Sequence, residues 1–187
     1  MMQLPQTVII DLGNGSETLG SEFTLGADIR IASEDTQVSF NHCRYGLVPA
    51  AGGMSMLTTL VAPVFARSWV LSGNIVEADT LIQSGFLRET YNKTNRSEVI
   101  EKMLTQISKI APIQRIQAKL GLFESLRSQF ENGIIMDRKV AKASMVSEDW
   151  RNKRSEETHT EFMPAKSMSY AVKLSLIKND ESPTLEH

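Results

Sequence analysis

The chain has 187 residues, of which 41% are hydrophobic and 22% charged, the proportions of a globular protein with an ordinary core. That length suits one domain, or one domain with a helical appendage. Because the net charge is only −2, the composition gives no electrostatic basis for binding nucleic acid. The single cysteine, Cys43, excludes an internal disulfide and fits a reducing cytoplasm. No apolar run reaches the ~18 residues that cross a bilayer, so we expect a cytoplasmic protein that binds neither nucleic acid nor membrane.

The first part of the chain predicts a strand, a break and a short helix. Residues 7–12 are a continuous, largely β-branched run, which is typical of a strand buried on both faces. The glycine-rich residues 13–16 break that strand. Residues 17–27 then favour a helix, with three apolar residues sharing one face at spacings of four. These residues are Leu19, Phe23 and Ala27.

Short elements continue to residue 91. Two strands, over residues 29–31 and 38–40, flank a turn at residues 33–35. Helices are predicted over three segments, the second opening with a proline and the third ending at Gly85 in a left-handed cap. The three segments are residues 54–61, 63–71 and 77–84. A last strand follows over residues 86–91.

From residue 95 onward the sequence pattern predicts helices. Asn95 and Glu98 have the spacing of an N-terminal capping box. Two apolar stripes follow, separated by Pro112, and Asn132-Gly133 is expected to end the second before a weaker helix over residues 135–150. The stripes are Val99, Met103, Ile107 and Ile110, then Ile113, Ile116, Leu120, Phe123, Leu126 and Phe130. We therefore divide the chain into an α/β part (residues 1–94), a helical part suited to oligomerisation (95–184) and a tag remnant (185–187).

The sequence gives little support for a nucleotide site, a Cys/His nucleophile or a metal site. Gly13-x-Gly15 follows an apolar strand as in dinucleotide-binding proteins, but Thr18 occupies the third glycine position and a Walker-type lysine is missing. Cys43 adjoins His42, yet neighbouring residues of an extended segment point in opposite directions. No His, Cys or Asp cluster has the spacing of metal ligands. His159 lies in a charged segment, where we expect its side chain to be solvated and to have no chemical role.

A series of motifs, in order, resembles the enoyl-CoA hydratase/isomerase (crotonase) superfamily over residues 3–90. A glycine-rich turn ends in Glu22, and an aspartate follows six residues later, at Asp28. The later motifs are Gly46-Leu-Val-Pro-Ala-Ala-Gly-Gly, Leu71-Ser-Gly-Asn-Ile-Val-Glu-Ala and Ser84-Gly-Phe-Leu. The resemblance implies an α/β, crotonase-like spiral core of ββα units, here without its N-terminal strands, followed by a C-terminal helical region.

The same resemblance implies a site for an acyl-CoA thioester, with coenzyme A as part of the substrate and neither a separate cofactor nor a metal. Glu22 matches the first catalytic carboxylate of the hydratases, and His42 stands where they have a second glutamate. An imidazole can serve as a general base near neutral pH. One donor of the family's oxyanion hole is a backbone N–H of this turn, at the position that matches Leu19 or, one residue on, Gly20, and only the backbone path matters for it.

Two questions stay open at this level. The family's second oxyanion donor comes from an Ala-Gly-Ala-Asp-Leu segment that is not found here, so the chain is either a fragment or a natural truncation. Hydration, isomerisation or a related enolate reaction would fit an active Glu22/His42 pair. Loss of the second glutamate instead favours a degenerate relative that binds acyl-CoA or a protein partner, or a structural fragment. The resemblance also implies a homotrimer or a dimer of trimers.

Overall fold

The computed structural model describes residues 1–147 and 149–150. Short strands alternate with helices through the first half, and two helices make up most of the second. The strands are β1 (Ile9–Asp11), β2 (Gly15–Glu17), β3 (Ile29–Ser33), β4 (Gln37–Ser39), β5 (Ile75–Glu77) and β6 (Glu89–Tyr91). The helices are α1 (Leu19–Thr24), α2 (Leu57–Leu60), α3 (Pro63–Ser72), α4 (Ala78–Gln83), α5 (Arg96–Ser108) and α6 (Pro112–Ser144). Short 3-10 helices span Asn41–Tyr45 and Met145–Ser147.

The strands form two three-stranded sheets. One has the order β1-β3-β6 and is parallel throughout, whereas the other has the order β2-β4-β5, with β5 antiparallel to β4. From β1 to β4 the chain alternates between the sheets, then β5 adds to the second sheet and β6 returns to the first. Strands β2 and β5 lie outside the predicted strands: β2 has no apolar residue, and β5 has only two.

The predicted first strand exists, but the prediction that it is buried on both faces is wrong. All three residues of β1 are only half-buried. In the sheet, β1 pairs with β3 and occupies an edge position. An edge strand has a neighbour on one side only, so its apolar composition does not produce full burial.

The main core takes residues from both sheets and from the helices around them. Phe40, Trp69 and Phe86 form its aromatic centre, with ring centroids 6.0–6.4 Å apart. Phe130 from α6 is buried in the same cluster. The described part of α6 therefore packs directly on the α/β half of the chain.

Helix α1 turns two of the three residues of the predicted apolar face outward, and only Ala27, which lies beyond the end of the helix, is buried. Leu19 and Phe23 are 64% and 66% exposed, whereas Ser21, Glu22 and Leu25 are buried. Burial of Ser21 costs little free energy because its hydroxyl donates a hydrogen bond to the carbonyl of Ser39 at 2.9 Å. The apolar spacing that the sequence shows therefore does not identify the inward face of this short helix.

The later helices confirm some predicted boundaries and correct others. Helix α3 begins at Pro63, and Gly85 follows α4 with a φ of +79°. Helix α2 is shorter than predicted. Helix α5 begins after Asn95 as predicted, but the Asn95 side chain accepts from the N–H of Asn92 instead of capping the helix. Its apolar stripe packs against Ile31 and Tyr91.

The predicted break at Asn132-Gly133 is wrong, because α6 runs unbroken through it. A Cβ at Gly133 would lie 2.4 Å from the Cβ of Ser55, so the glycine permits close contact between α6 and the core. The predicted helix over residues 135–150 is the continuation of α6 as far as Ser144. His159 and the rest of residues 151–187 lie outside the described residues. In the described part, no helix is long and apolar enough to cross a membrane.

Candidate active site

The carboxylate of Glu22 is held by the backbone of a glycine-rich turn. Helix α1 directs this side chain inward, and it is only 3% exposed. Its Oε1 accepts hydrogen bonds from the N–H groups of Ala51 and Gly53, each at 2.8 Å. A Cβ at Gly53 would lie 2.9 Å from that oxygen, so only glycine allows the backbone to approach so closely.

His42 is a second buried side chain at this site, in contact with Glu22. Its Nε2 lies 3.1 Å from Oε2 of Glu22, and the residue is 7% exposed. The 3-10 helix Asn41–Tyr45 places the ring here, and Gly46 ends that helix with a φ of +68°. His42 Nδ1 is buried and has no hydrogen-bond partner among the described residues. The structure thus brings together the two side chains that the sequence singled out.

The hydrogen bonds around Glu22 favour its ionised form. Burial opposes ionisation, but the hydrogen bonds from His42, Ala51 and Gly53 outweigh burial, so the pKa of Glu22 lies below its usual range. A carboxylate in this state is an acceptor for protons at neutral pH.

A cavity of about 630 Å³ opens on the pair. The N-terminal end of α1 and the loop after His42 form one side, and the C-terminal part of α6 forms the other. Apolar side chains dominate, but Arg138 and Lys142, which are exposed, stand at the α6 side. The lining residues are Thr18, Leu19, Glu22, His42, Leu47, Val48, Ala50, Arg138, Ala141, Lys142, Ser144 and Met145.

Leu19 and Gly20, the predicted oxyanion donors, are the first two residues of α1. N–H groups in the first turn of a helix have no acceptor within that helix. Thr18 precedes them with φ 46° and ψ −122°, a conformation that β-branched residues rarely adopt. Backbone strain of this kind is often found at functional sites.

Asp137 is a neighbouring carboxylate that is not among the site residues predicted from the sequence. It is 2% exposed, and it accepts hydrogen bonds from the N–H and hydroxyl of Ser55. Burial, together with the charge of Glu22, raises the pKa of Asp137 despite its hydrogen bonds. The available signal was its place on α6 in register with Phe130 and Ile134, where a carboxylate interrupts an apolar stripe.

Other polar groups near the pair offer less chemistry. Cys43 lies on the same 3-10 helix as His42, not on an extended segment, and burial raises the pKa of its thiol. A raised pKa disfavours the nucleophilic thiolate. Within residues 1–147 and 149–150, no group of three or more His, Cys, Asp or Glu side chains could hold a metal ion.

Comparison with known proteins gives a consistent result. The model of the family described as enoyl-CoA hydratase/isomerase matches residues 3–170. YngF of Bacillus subtilis (strain 168) is 25% identical over 148 residues, which are 79% of this chain and 57% of that protein. The short-chain-enoyl-CoA hydratase of Clostridioides difficile is 27% identical over 127 residues, covering 68% of this chain and 82% of that protein.

Comparison of the fold with solved structures gives a similar result. The crystal structure of an enoyl-CoA hydratase/isomerase from Pseudoalteromonas atlantica T6c superposes with a TM-score of 0.78 at 17% identity. That superposition covers 85% of this chain and 65% of the other chain. The spiral of short strands and helices is therefore the fold of these proteins, and this chain spans only part of their length.

Proposed function

The chain belongs to the enoyl-CoA hydratase/isomerase family, and from this membership we propose that it acts on an acyl-CoA thioester through Glu22 and His42. The observation that carries the proposal is the buried contact of 3.1 Å between these two side chains, at the base of a cavity large enough for an acyl group. Acid/base pairs so placed are well suited to moving a proton to or from a carbon next to a thioester carbonyl.

For hydration of a 2-enoyl thioester, the proposed steps balance as follows. Glu22 accepts a proton from water while the water oxygen bonds to C3, and the C2–C3 double bond becomes an enolate. Protonated His42 then donates a proton to C2, restoring the thioester. The proton on Glu22 returns to His42 across their hydrogen bond, so the pair is ready for another turnover. The proposal assigns one of the donors to the enolate oxygen to the α1 turn, at the N–H of Leu19 or of Gly20.

Substrate binding in this proposal uses the two sides of the cavity differently. The apolar lining accommodates the acyl chain, and the basic side chains Arg138 and Lys142 face the phosphates of coenzyme A. Arginine and lysine both bind phosphate oxygens, arginine with paired N–H groups. The whole protein is proposed to act in the cytoplasm, which its single cysteine supports.

Assembly into a homotrimer, or a dimer of trimers, is also part of the proposal. Exposed apolar side chains on α6, among them Leu122 and Ile135, supply surface that association through the helical part would bury. Analytical ultracentrifugation measures the state directly.

A thioester panel tests the activity. Saturated and 2-enoyl-CoA esters of increasing length are incubated with the protein, and products are followed by mass spectrometry for the gain of one water. We expect hydration of at least one enoyl-CoA and its loss in Glu22→Gln. Calorimetric binding of acyl-CoA without turnover of any ester would instead favour a degenerate binding protein, in keeping with His42 at the second carboxylate position. Absence of both binding and turnover would contradict both readings.

A further inference from the structure

We propose that Asp137 is a positioning residue, which fixes the turn whose N–H groups hold Glu22 and thereby sets the direction of the Glu22 carboxylate. This role deepens the proposed function and rests on it for its catalytic consequence. Asp137 and Glu22 share no hydrogen bond among the described residues, and the mechanical connection between them runs along the backbone from Gly53 to Ser55.

The first step is the attachment of Asp137 to the end of the turn. The Ser55 hydroxyl donates to its Oδ2 at 2.9 Å, and the Ser55 N–H donates to the same oxygen at 3.3 Å. A carboxylate that is 2% exposed thus satisfies both donors of Ser55, a residue just before α2.

The second step is the stiffness of the turn between Ser55 and Glu22. Gly53, two residues before Ser55, donates to Glu22 at 2.8 Å. The carbonyl of Gly52 accepts from the N–H of Met56 at 2.7 Å and from that of Leu57 at 3.3 Å. These bonds close the turn on itself, so a displacement of Ser55 is passed to the N–H groups that hold Glu22.

The third step is the close contact of α6 with the same residue. Gly133 lies one turn before Asp137 on α6, and any Cβ at Gly133 would meet the Ser55 side chain at 2.4 Å. Gly133 and Asp137 thus both face Ser55, the first by allowing contact and the second by hydrogen bonding. Helix α6 has a second buried polar anchor at Lys119, whose Nζ binds Asp28 at 2.7 Å. Because Lys119 is 18 residues away, about 27 Å along the helix, it provides a matched control.

Amide hydrogen exchange, read residue by residue by NMR, tests the proposal on the intact chain. In Asp137→Ala we expect exchange at Ala51 and Gly53 to accelerate by on the order of tenfold or more, as for local opening. Lys119→Met should leave those two amides at the wild-type rate after correction for global stability. Asp137→Asn keeps an acceptor oxygen and should restore most of the protection.

The kinetic readout separates positioning from binding. Asp137→Ala should lower kcat on the order of 10- to 100-fold with KM little changed, because Asp137 lies outside the cavity lining. Wild-type exchange rates at Ala51 and Gly53 in Asp137→Ala, or acceleration matched by Lys119→Met, would overturn the proposal. Should Asp137→Ala not fold, Ser55→Ala removes the hydroxyl donor alone, and unchanged exchange there overturns it equally. If the wild-type chain turns over no thioester, the proposed function fails while the exchange result still decides the role of Asp137.

Discussion

Two regions of the molecule hold a carboxylate with a lowered pKa, and they differ in what surrounds it. In the Asp11 cluster (Asp11, Gly13, Tyr91 and Arg96), burial opposes ionisation, but hydrogen bonds from the other three residues lower the pKa of Asp11. In the Glu22 cluster (Glu22, His42, Ala51 and Gly53), hydrogen bonds from three residues outweigh burial in the same way. By the direction of the pKa alone, the two carboxylates cannot be told apart.

Their surroundings separate them. Both oxygens of Asp11 are engaged, Oδ1 by the Tyr91 hydroxyl at 2.5 Å and Oδ2 by Arg96, whose side chain reaches the surface. Beside Glu22, by contrast, His42 Nδ1 has no partner in the part of the chain that is described, and a cavity opens on the pair. A lowered pKa therefore marks a well-bonded carboxylate, whereas an incomplete hydrogen-bond network beside a cavity marks a candidate site.

The largest expected effect is a loss of activity that distinguishes Glu22 from Asp11. Glu22→Gln removes the proposed base and should lower kcat by roughly 10²- to 10⁴-fold, the usual contribution of a general acid or base. Asp11→Asn makes the same chemical change in the other cluster and should leave kcat within about twofold, after correction for the folded fraction. Steady-state kinetics on an enoyl-CoA measure both. Comparable losses in the two variants would contradict the division.

An intermediate effect concerns the basic side chains. The double variant Arg138→Gln/Lys142→Gln removes positive charge beside the Glu22 cavity and should weaken acyl-CoA binding by on the order of 10-fold, less at high salt because salt screens exposed charges. Arg96→Gln removes the arginine of the Asp11 cluster and serves as the control. Isothermal calorimetry at two ionic strengths gives the Kd values. Equal affinity for the double variant and the wild type would remove α6 from the binding site.

The smallest expected effect is one that the clusters share. The folded pKa of Glu22 is lowered, so its contribution to stability is present above the unfolded value of about 4.3 and is lost as the pH falls through the folded pKa. The stability difference between wild type and Glu22→Gln should therefore shrink on acidification. Asp11→Asn should behave in the same direction. Urea unfolding at neutral and acidic pH measures the differences, and a gap that widens in acid would contradict the assigned direction.

Sequence reasoning reached the pairing of Glu22 with His42 because the motif spacing that carries the family resemblance also fixes the path of the backbone. Their catalytic roles stay predictions. The inward face of α1 could not be predicted, since Ser21 and Glu22 are buried through partners that are distant in the chain. The continuity of α6 through Gly133 was missed for the same reason: local propensity indicates a break there, whereas the contact with Ser55 requires a glycine.

The strained backbone at Thr18 has a consequence for protein engineering. A glycine there would adopt φ 46° without steric cost, so Thr18→Gly relieves strain in the folded state while adding freedom to the unfolded chain. The same change would remove a side chain from the cavity wall and widen the space available to an acyl group. Because such strain costs on the order of 1–3 kcal/mol, against roughly 0.4–1 kcal/mol for the added freedom of a glycine, we expect the wider cavity to come with an unchanged or higher stability.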